Sequence, residues 1–441
     1  MNVLNLALPV WQTIAMAAAG TLVAIVAGTP LAVYIAARGP GARVLLNALS
    51  AVRAIPDLTL AILAVVVVGI GPAAGVAALA IFYTAMIARM YAQLLGTAPP
   101  APLNALAATG ASRLQVALYG TLPATLNDLI TFGGYSFDCA LRSSIIVGAV
   151  GAGGLGAEIV GSIDALDYRR VALLVAILVA LVWIVDWFAA HVRRKPLMAL
   201  VLVPFGIAGI ATSRPVVFAV GHALHTFAGM WPPLLDHREL VQLPVAIFET
   251  LEIAVGGTAL AVALAIPLGL IGARRFAPPA LTHLVRRCFD VLRSVPEVVI
   301  GLILVVAVGV GPLAGALALG IHSTGVLGKL FSESVENVPA PALEALAATG
   351  AGRVAIATYG GLPLALGPMF EHTLFRLEWN LRTATVVGMI GAGGIGQALF
   401  NSQQTFHYHE MLAYVMITWA FVLGAEALGK RLNIPADLSA A

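Results

Sequence analysis

The chain has 441 residues, of which 60% are hydrophobic and only 10% charged, with a formal net charge of +3. Soluble domains carry roughly 25% charged residues, so a soluble fold is excluded. The small positive balance reads as arginines in membrane-flanking loops, not as a nucleic-acid surface. Uncharged runs have the ~20-residue length of a bilayer core and lack the alternation of barrel strands. The expected class is an all-α polytopic membrane protein.

The N-terminus has no basic n-region, and its first apolar stretch is too long for a signal-peptide core. Eleven spans are expected. Five lie at 10–37, 57–70, 72–95, 124–150 and 171–190, one at 197–213, and five at 242–272, 297–310, 312–332, 364–390 and 411–428. The run 57–95 is split at Gly69-Ile70-Gly71-Pro72 and its twin at Gly309-Val310-Gly311-Pro312, because Gly and Pro interrupt helices. An N-terminus out and C-terminus in places most of the 24 basic residues in the cytoplasm. Among them are Arg38, Arg43, Arg53, Arg89, Arg113, Arg193, Arg194, Arg274, Arg275, Arg286, Arg287, Lys329 and Arg353, while Arg169, Arg170, Arg214 and Arg238 fall outside.

The chain repeats itself. Ala105-Leu106-Ala107-Ala108-Thr109-Gly110, Tyr119-Gly120-Thr121-Leu122-Pro123, Arg142 and Gly151-Ala152-Gly153-Gly154-Leu155-Gly156 form the first copy. Ala345-Leu346-Ala347-Ala348-Thr349-Gly350, Tyr359-Gly360-Gly361-Leu362-Pro363, Arg382 and Gly391-Ala392-Gly393-Gly394-Ile395-Gly396 form the second at the same internal spacing. Two parallel five-span units are expected, 1–195 and 242–441, with 196–241 supplying a linking span and an external linker. Five spans begin outside and end inside, so a parallel fusion needs one extra crossing, provided by 197–213. The repeated cytoplasmic segments 101–123 and 341–363 read as a short helix, a glycine-permitted turn and a second short helix, presenting a compact knob to a partner.

These segments resemble the EAA loop of ATP-binding-cassette importer permeases. The second copy matches at Glu344, Ala345, Gly350, Leu362 and Pro363, with Leu346 and Gly360 departing from the pattern. The first matches at Ala105, Gly110, Leu122 and Pro123, but Asn104 replaces the glutamate. Arg293-Ser294-Val295-Pro296-Glu297, Gly309–Gly315, His322–Leu330 and Phe375–Gly388 are similar to the phosphonate-importer permease subfamily. The likeness covers nearly all of 242–428 and is weaker over 10–190, where Phe82 and Ala140 stand for His322 and Asn380. The resemblance implies a permease of a binding-protein-dependent importer for phosphonate, phosphite or phosphate, here with two units fused, in the bacterial cytoplasmic (inner) membrane. It also implies two cytoplasmic ATPase subunits docked under the knobs, using ATP and Mg, and an extracytoplasmic phosphonate- or phosphate-type binding protein. No Gly-x-x-x-x-Gly-Lys-Ser/Thr run is present, so no ATP hydrolysis, no other cofactor and no catalytic residue are expected in this chain.

Arg142 and Arg382 each lie 19 positions beyond the Leu-Pro proline (123 to 142, 363 to 382), roughly 28 Å along a helix. A charge at that depth needs a partner or a wet path. Asp138 and Glu378, four residues earlier on the same face, are the expected ion-pair partners. The alternative is that both arginines line a shared pathway for an oxyanion, which planar guanidinium donors suit. Ser143, Ser144, Thr383 and Thr385 are added as neutral candidates. On the pathway reading Arg142→Ala lowers uptake and leaves assembly intact.

The two Gly-x-Gly-x-x-Gly runs satisfy a dinucleotide pattern but lack the surrounding βαβ unit, so helix-end packing or a gate is expected instead. His222-x-x-His225 and His407-x-His409 read as surface histidines, with no metal expected, and Cys139 and Cys288 do not suggest a disulfide. Two alternatives stay open: a methionine-type or other small-solute permease of the same class, and an ion-coupled secondary transporter.

Overall fold

The structure is a computed structural model that describes residues 4–192, 195–213 and 220–432. Arg193, Arg194 and Arg214, used in the topology above, lie outside the described residues, as does the side chain of His222. The described residues are helical throughout their ordered elements and form two compact units, Met1–Trp231 and Pro232–Ala441.

In the first unit α1 (Leu4–Ala36) packs against α4 (Pro72–Leu95), with α2 (Ala42–Ala54) and α3 (Asp57–Val68) between them in sequence. Apolar helices gain little from hydrophobicity inside lipid, so they associate by close packing at small residues. A Cβ on Gly20 would stand 2.7 Å from the Leu79 Cβ. The knob helices α5 (Pro100–Ala108) and α6 (Arg113–Val116) lead through a π-helical segment, Ala117–Thr121, into α7 (Leu122–Val147). Then follow α8 (Gly154–Asp164), α9 (Tyr168–Val192), α10 (Leu202–Thr212) and α11 (Val220–Gly229).

The second unit repeats this plan. It runs α12 (His237–Gly272), α13 (Pro279–Ser294), α14 (Glu297–Val308), α15 (Pro312–Glu336), α16 (Ala340–Ala348), α17 (Arg353–Ile356), α18 (Leu362–Val387), α19 (Gly394–Gln404) and α20 (Tyr408–Leu432). The α12–α15 contact has its own glycine, Gly257, whose Cβ would meet the Leu319 Cβ at 2.8 Å.

Proline shapes one corner in each unit. Pro56 and Pro296 force the residues before them out of the helical region, so Ile55 and Val295 are extended and the flanking helices bend by 86°. The expected spans 57–70 and 297–310 are therefore twelve-residue helices, about 18 Å long, each joined at the corner to an amphipathic helix. Arg89 ties α4 to α2 by donating to Ser50 (2.9 Å), and Arg286 ties α13 to Glu336 at 2.6 Å.

Among the described residues five helices are long and apolar enough to cross a bilayer, or up to nine if each of four bent pairs is one span. Two expected spans are not in that count. The segment 197–213 is a 3-10 turn followed by the short α10. Helix α20, 25 residues long, covers the expected span 411–428. α10 packs on α1 through Gly209, where a Cβ would lie 2.4 Å from the Ala15 carbonyl oxygen.

The glycine-rich runs are sharp helix breaks. Gly151, Gly153 and Gly154 have φ of 116°, 90° and 72°, and Gly391, Gly393 and Gly394 have 105°, 92° and 73°, where only glycine is unstrained. The helix that restarts has its orphan N–H groups satisfied from another helix. Gly154 and Leu155 donate to Gln12 Oε1 (3.0 Å) and Thr13 Oγ1 (2.9 Å) on α1. Gly394 and Ile395 donate to Glu249 Oε2 (2.7 Å) and Thr250 Oγ1 (3.0 Å) on α12. A backbone bond from Gly71 to Gly151 (3.0 Å), and from Gly311 to Gly391 (2.9 Å), pins each break to the turn before α4 or α15.

Candidate functional sites in the two units

Each knob is an exposed helix on a buried footing. Asn104, Ala105 and Gly110 are exposed on or just after α5, as are Glu344, Ala345 and Gly350 at α16, while Leu343 is buried. Gly110 and Gly350 take φ of 86° and 80°, which ends the helix and turns the chain. The footing is the π-helical segment. A Cβ on Gly120 would come within 2.8 Å of Leu103, and one on Gly360 within 2.5 Å of Leu346. Gly360, a departure from the expected loop pattern, is thus the residue that lets the knob seat closely. Leu122 and Leu362 are half-buried at the start of α7 and α18, with Pro123 and Pro363 exposed just past the π-helical segment, where the regular hydrogen-bond ladder is already interrupted. Tyr119 and Tyr359 stay exposed beside the knobs.

Above the knob of the first unit lies an acid-rich polar layer. Arg142 Nη2 is 3.0 Å from Asp138 Oδ2 and 2.7 Å from Asp186 Oδ1, so α7 and α9 are clamped by one guanidinium between two carboxylates. Ser143 donates to Asp57 Oδ2 at 2.6 Å and lies 3.2 Å from the Tyr83 hydroxyl, which fastens the Pro56 corner to α7 and α4. The Ser144 hydroxyl bonds back to the Leu141 carbonyl (2.7 Å).

The second unit builds the layer differently. Arg382 is buried, and its guanidinium carbon lies 5.9 Å from the centre of the Trp379 ring. Among the described residues no ion pair joins Glu378 to Arg382, so the two units do not share the i, i+4 pairing expected of both. Thr383 and Thr385 bond back to the carbonyls of Trp379 (3.1 Å) and Arg382 (2.7 Å). His322 reaches the Pro296 corner, with Nδ1 donating to the Val295 carbonyl at 2.9 Å and Nε2 lying 3.6 Å from Glu297 Oε2. Ser323, Asn380 and Arg376 complete the layer.

Comparison with known proteins decides the family. The description "binding-protein-dependent transport system inner membrane component" matches residues 13–197 and again 265–433. This chain belongs to that family. It is an integral, multi-pass permease of the ATP-binding-cassette importer type, with two permease units in one chain. The phosphate-import permease protein PhnE of Mycolicibacterium smegmatis is 32% identical over 444 residues, covering 95% of this permease and 83% of the relative. The phosphite transport system permease protein PtxC of Stutzerimonas stutzeri is 36% identical over 208 residues, covering 46% of this permease and 74% of the relative.

Several residues of the permease escape a reading of the sequence alone. Asp186 interrupts an otherwise apolar run, and a lone intramembrane acid signals a partner elsewhere. That partner, Arg142, is 44 positions away on a different helix. Thr258 carries no local signal, because a threonine hydroxyl in an apolar helix ordinarily bonds its own backbone, and the buried Tyr83 hydroxyl finds its partner, Ser143, 60 positions away. Among the described residues no group of three or more His, Cys, Asp or Glu side chains is placed to hold a metal. His409 instead lies 3.1 Å from the Pro232 carbonyl. Cys139 and Cys288 are free thiols.

Proposed function

We propose that this permease carries a phosphorus oxyanion, a phosphonate, phosphite or phosphate, inward across the bacterial cytoplasmic membrane. An extracytoplasmic binding protein delivers the anion, and two ATPase subunits, one on each knob, drive transport with ATP and Mg. The observation that carries this reading is the likeness to a phosphate-import permease across 95% of the chain, both units included. The exposed knobs on packed footings support the docking assignment, and eleven crossings with the N-terminus outside agree with the basic loops. Arg382 and Arg142 remain pathway candidates with Ser143, Ser144, Thr383 and Thr385, though Arg142 already holds two carboxylates.

The test is transport in sealed proteoliposomes containing the permease and its ATPase, with binding protein and labelled phosphate, phosphite or methylphosphonate outside. Uptake that needs ATP inside is expected. Uptake driven by an ion gradient without ATP would establish a secondary transporter, and uptake of methionine but no oxyanion would establish the other permease class.

The two knobs differ in one side chain, so their coupling differs. Glu344→Ala is expected to lower ATP hydrolysis stimulated by loaded binding protein several-fold more than Asn104→Ala, because a carboxylate makes the stronger, charge-assisted hydrogen bonds. Equal losses in the two variants would count against the asymmetry.

A further inference from the structure

The polar layer of the second unit holds a charge that has no counterpart in the first. From Leu362 to Arg376 is about 21 Å along α18, near the middle of a ~30 Å hydrocarbon core. Arg376 is 6% exposed. Its Nε donates to Ser323 Oγ at 2.8 Å, Ser323 donates to Asn380 Oδ1 at 3.1 Å, and Asn380 Nδ2 donates to Thr258 Oγ1 at 2.9 Å. Thr258 ends the relay by donating to the Ala254 carbonyl at 2.7 Å. Three helices, α12, α15 and α18, thus fix the direction of the guanidinium using neutral groups only.

The far end of the side chain is different. Arg376 Nη2 is buried with no hydrogen-bond partner among the described residues. A buried guanidinium N–H without an acceptor is costly, and a charge at this depth persists when function requires it. Arg142 is the contrast, since its Nη2 is bracketed by Asp138 and Asp186. Glu297, whose carboxylate lies 3.6 Å from His322 Nε2, acts on Arg376 through its charge and makes no ion pair with it among the described residues. Its field opposes an anion. A transport site gains from such opposition, because binding must be firm enough to admit the ion and weak enough to release it.

We propose that Arg376 is a mid-membrane ligand for the transported phosphorus oxyanion, with Ser323 and Asn380 as positioning residues, and that the site is one-sided. By the 240-position shift of the repeat (105 to 345), Ser136, Tyr83 and Ala140 occupy the corresponding places in the first unit. A tetrahedral oxyanion offers two or more oxygens to the terminal N–H groups, the pairing a planar guanidinium makes best. This rests on the oxyanion reading above.

The experiment uses the whole importer, permease with ATPase and binding protein, in proteoliposomes with labelled inorganic phosphate, phosphite or methylphosphonate as probes. Arg376→Gln is expected to lower uptake by about tenfold or more while binding-protein-stimulated ATP hydrolysis persists. Arg376→Lys keeps the charge but loses the two-pronged contact, so the KM for uptake is expected to rise several-fold. Uptake by Arg376→Gln within about twofold of wild type overturns the proposal. If Arg376→Gln fails to fold, Arg376→Lys decides: an unchanged KM overturns the assignment and a raised KM supports it. A wild-type importer that moves none of the three probes overturns the oxyanion reading itself, whereas wild-type uptake with unaffected variants overturns only the role of Arg376.

Discussion

Arg142→Ala is expected to destabilise the permease by on the order of 3 kcal/mol, seen as a lower yield of folded protein after detergent extraction and a lower Tm. The substitution leaves Asp138 and Asp186 facing each other across the α7–α9 contact with no cation between them. Breaking a largely desolvated ion pair from one side strands a charge, which costs more than the pair itself contributes. The side chains are not fully sealed, at 26% exposure for Arg142 and 33% for Asp186, which keeps the expected loss at the lower end of the range for buried pairs. The neutral triple substitution Asp138→Asn, Arg142→Gln, Asp186→Asn removes all three charges and is expected to recover most of the lost stability. Wild-type yield and Tm for Arg142→Ala would mean that the clamp holds nothing together. Of the two roles that spacing left open for this arginine, the ion pair with Asp138 makes it structural, and Asp186 adds a second carboxylate to that pair.

The second large effect lies at the glycine break. A Cβ on Gly396 would stand 1.9 Å from the Thr385 carbonyl oxygen and 3.0 Å from the Met389 backbone nitrogen, and the same geometry recurs at Gly156 against Ile145. Both obstacles are backbone, so no side-chain rotation relieves them. Gly396→Ala is expected to cost about 3 kcal/mol or more, as overpacking against a fixed helix does, and to shift the extracted permease from monodisperse to aggregated on size exclusion. Gly424→Ala, inside helix α20 of the same unit with nothing within 4 Å and no proline after it, is the control. It is expected to be neutral or to stabilise by up to about 1 kcal/mol, the difference in helix propensity between alanine and glycine. Equal behaviour of the two variants would remove the close approach of α18 and α19 as the reason for the glycine.

Much of this architecture is written in local signals. Apolar runs of bilayer length, the Gly-Pro breaks before α4 and α15, and the paired knob segments are each decided by a few neighbouring residues, so a linear reading finds them. The repeat adds force, because the same short helices recur in both copies. The X-Pro steps at Pro56 and Pro296 mark locally where one helix ends and the next begins, but the 86° angle between the two is given only by the fold.

By itself, then, the sequence determined a polytopic helical membrane protein with two related units, two presented knobs and no ATP-binding run of its own. Composition, periodicity and proline chemistry act over a few residues and survive without knowledge of the fold. The tertiary structure alone decided which distant groups meet Arg142 and Arg376. Asp186 reaches Arg142 from α9, Gln12 and Thr13 cap a helix 142 positions away, and Thr258, Asn380 and Ser323 align Arg376 from three helices. A buried charge is defined by whatever surrounds it in space, and in lipid that set is assembled by helix packing between segments far apart in the chain.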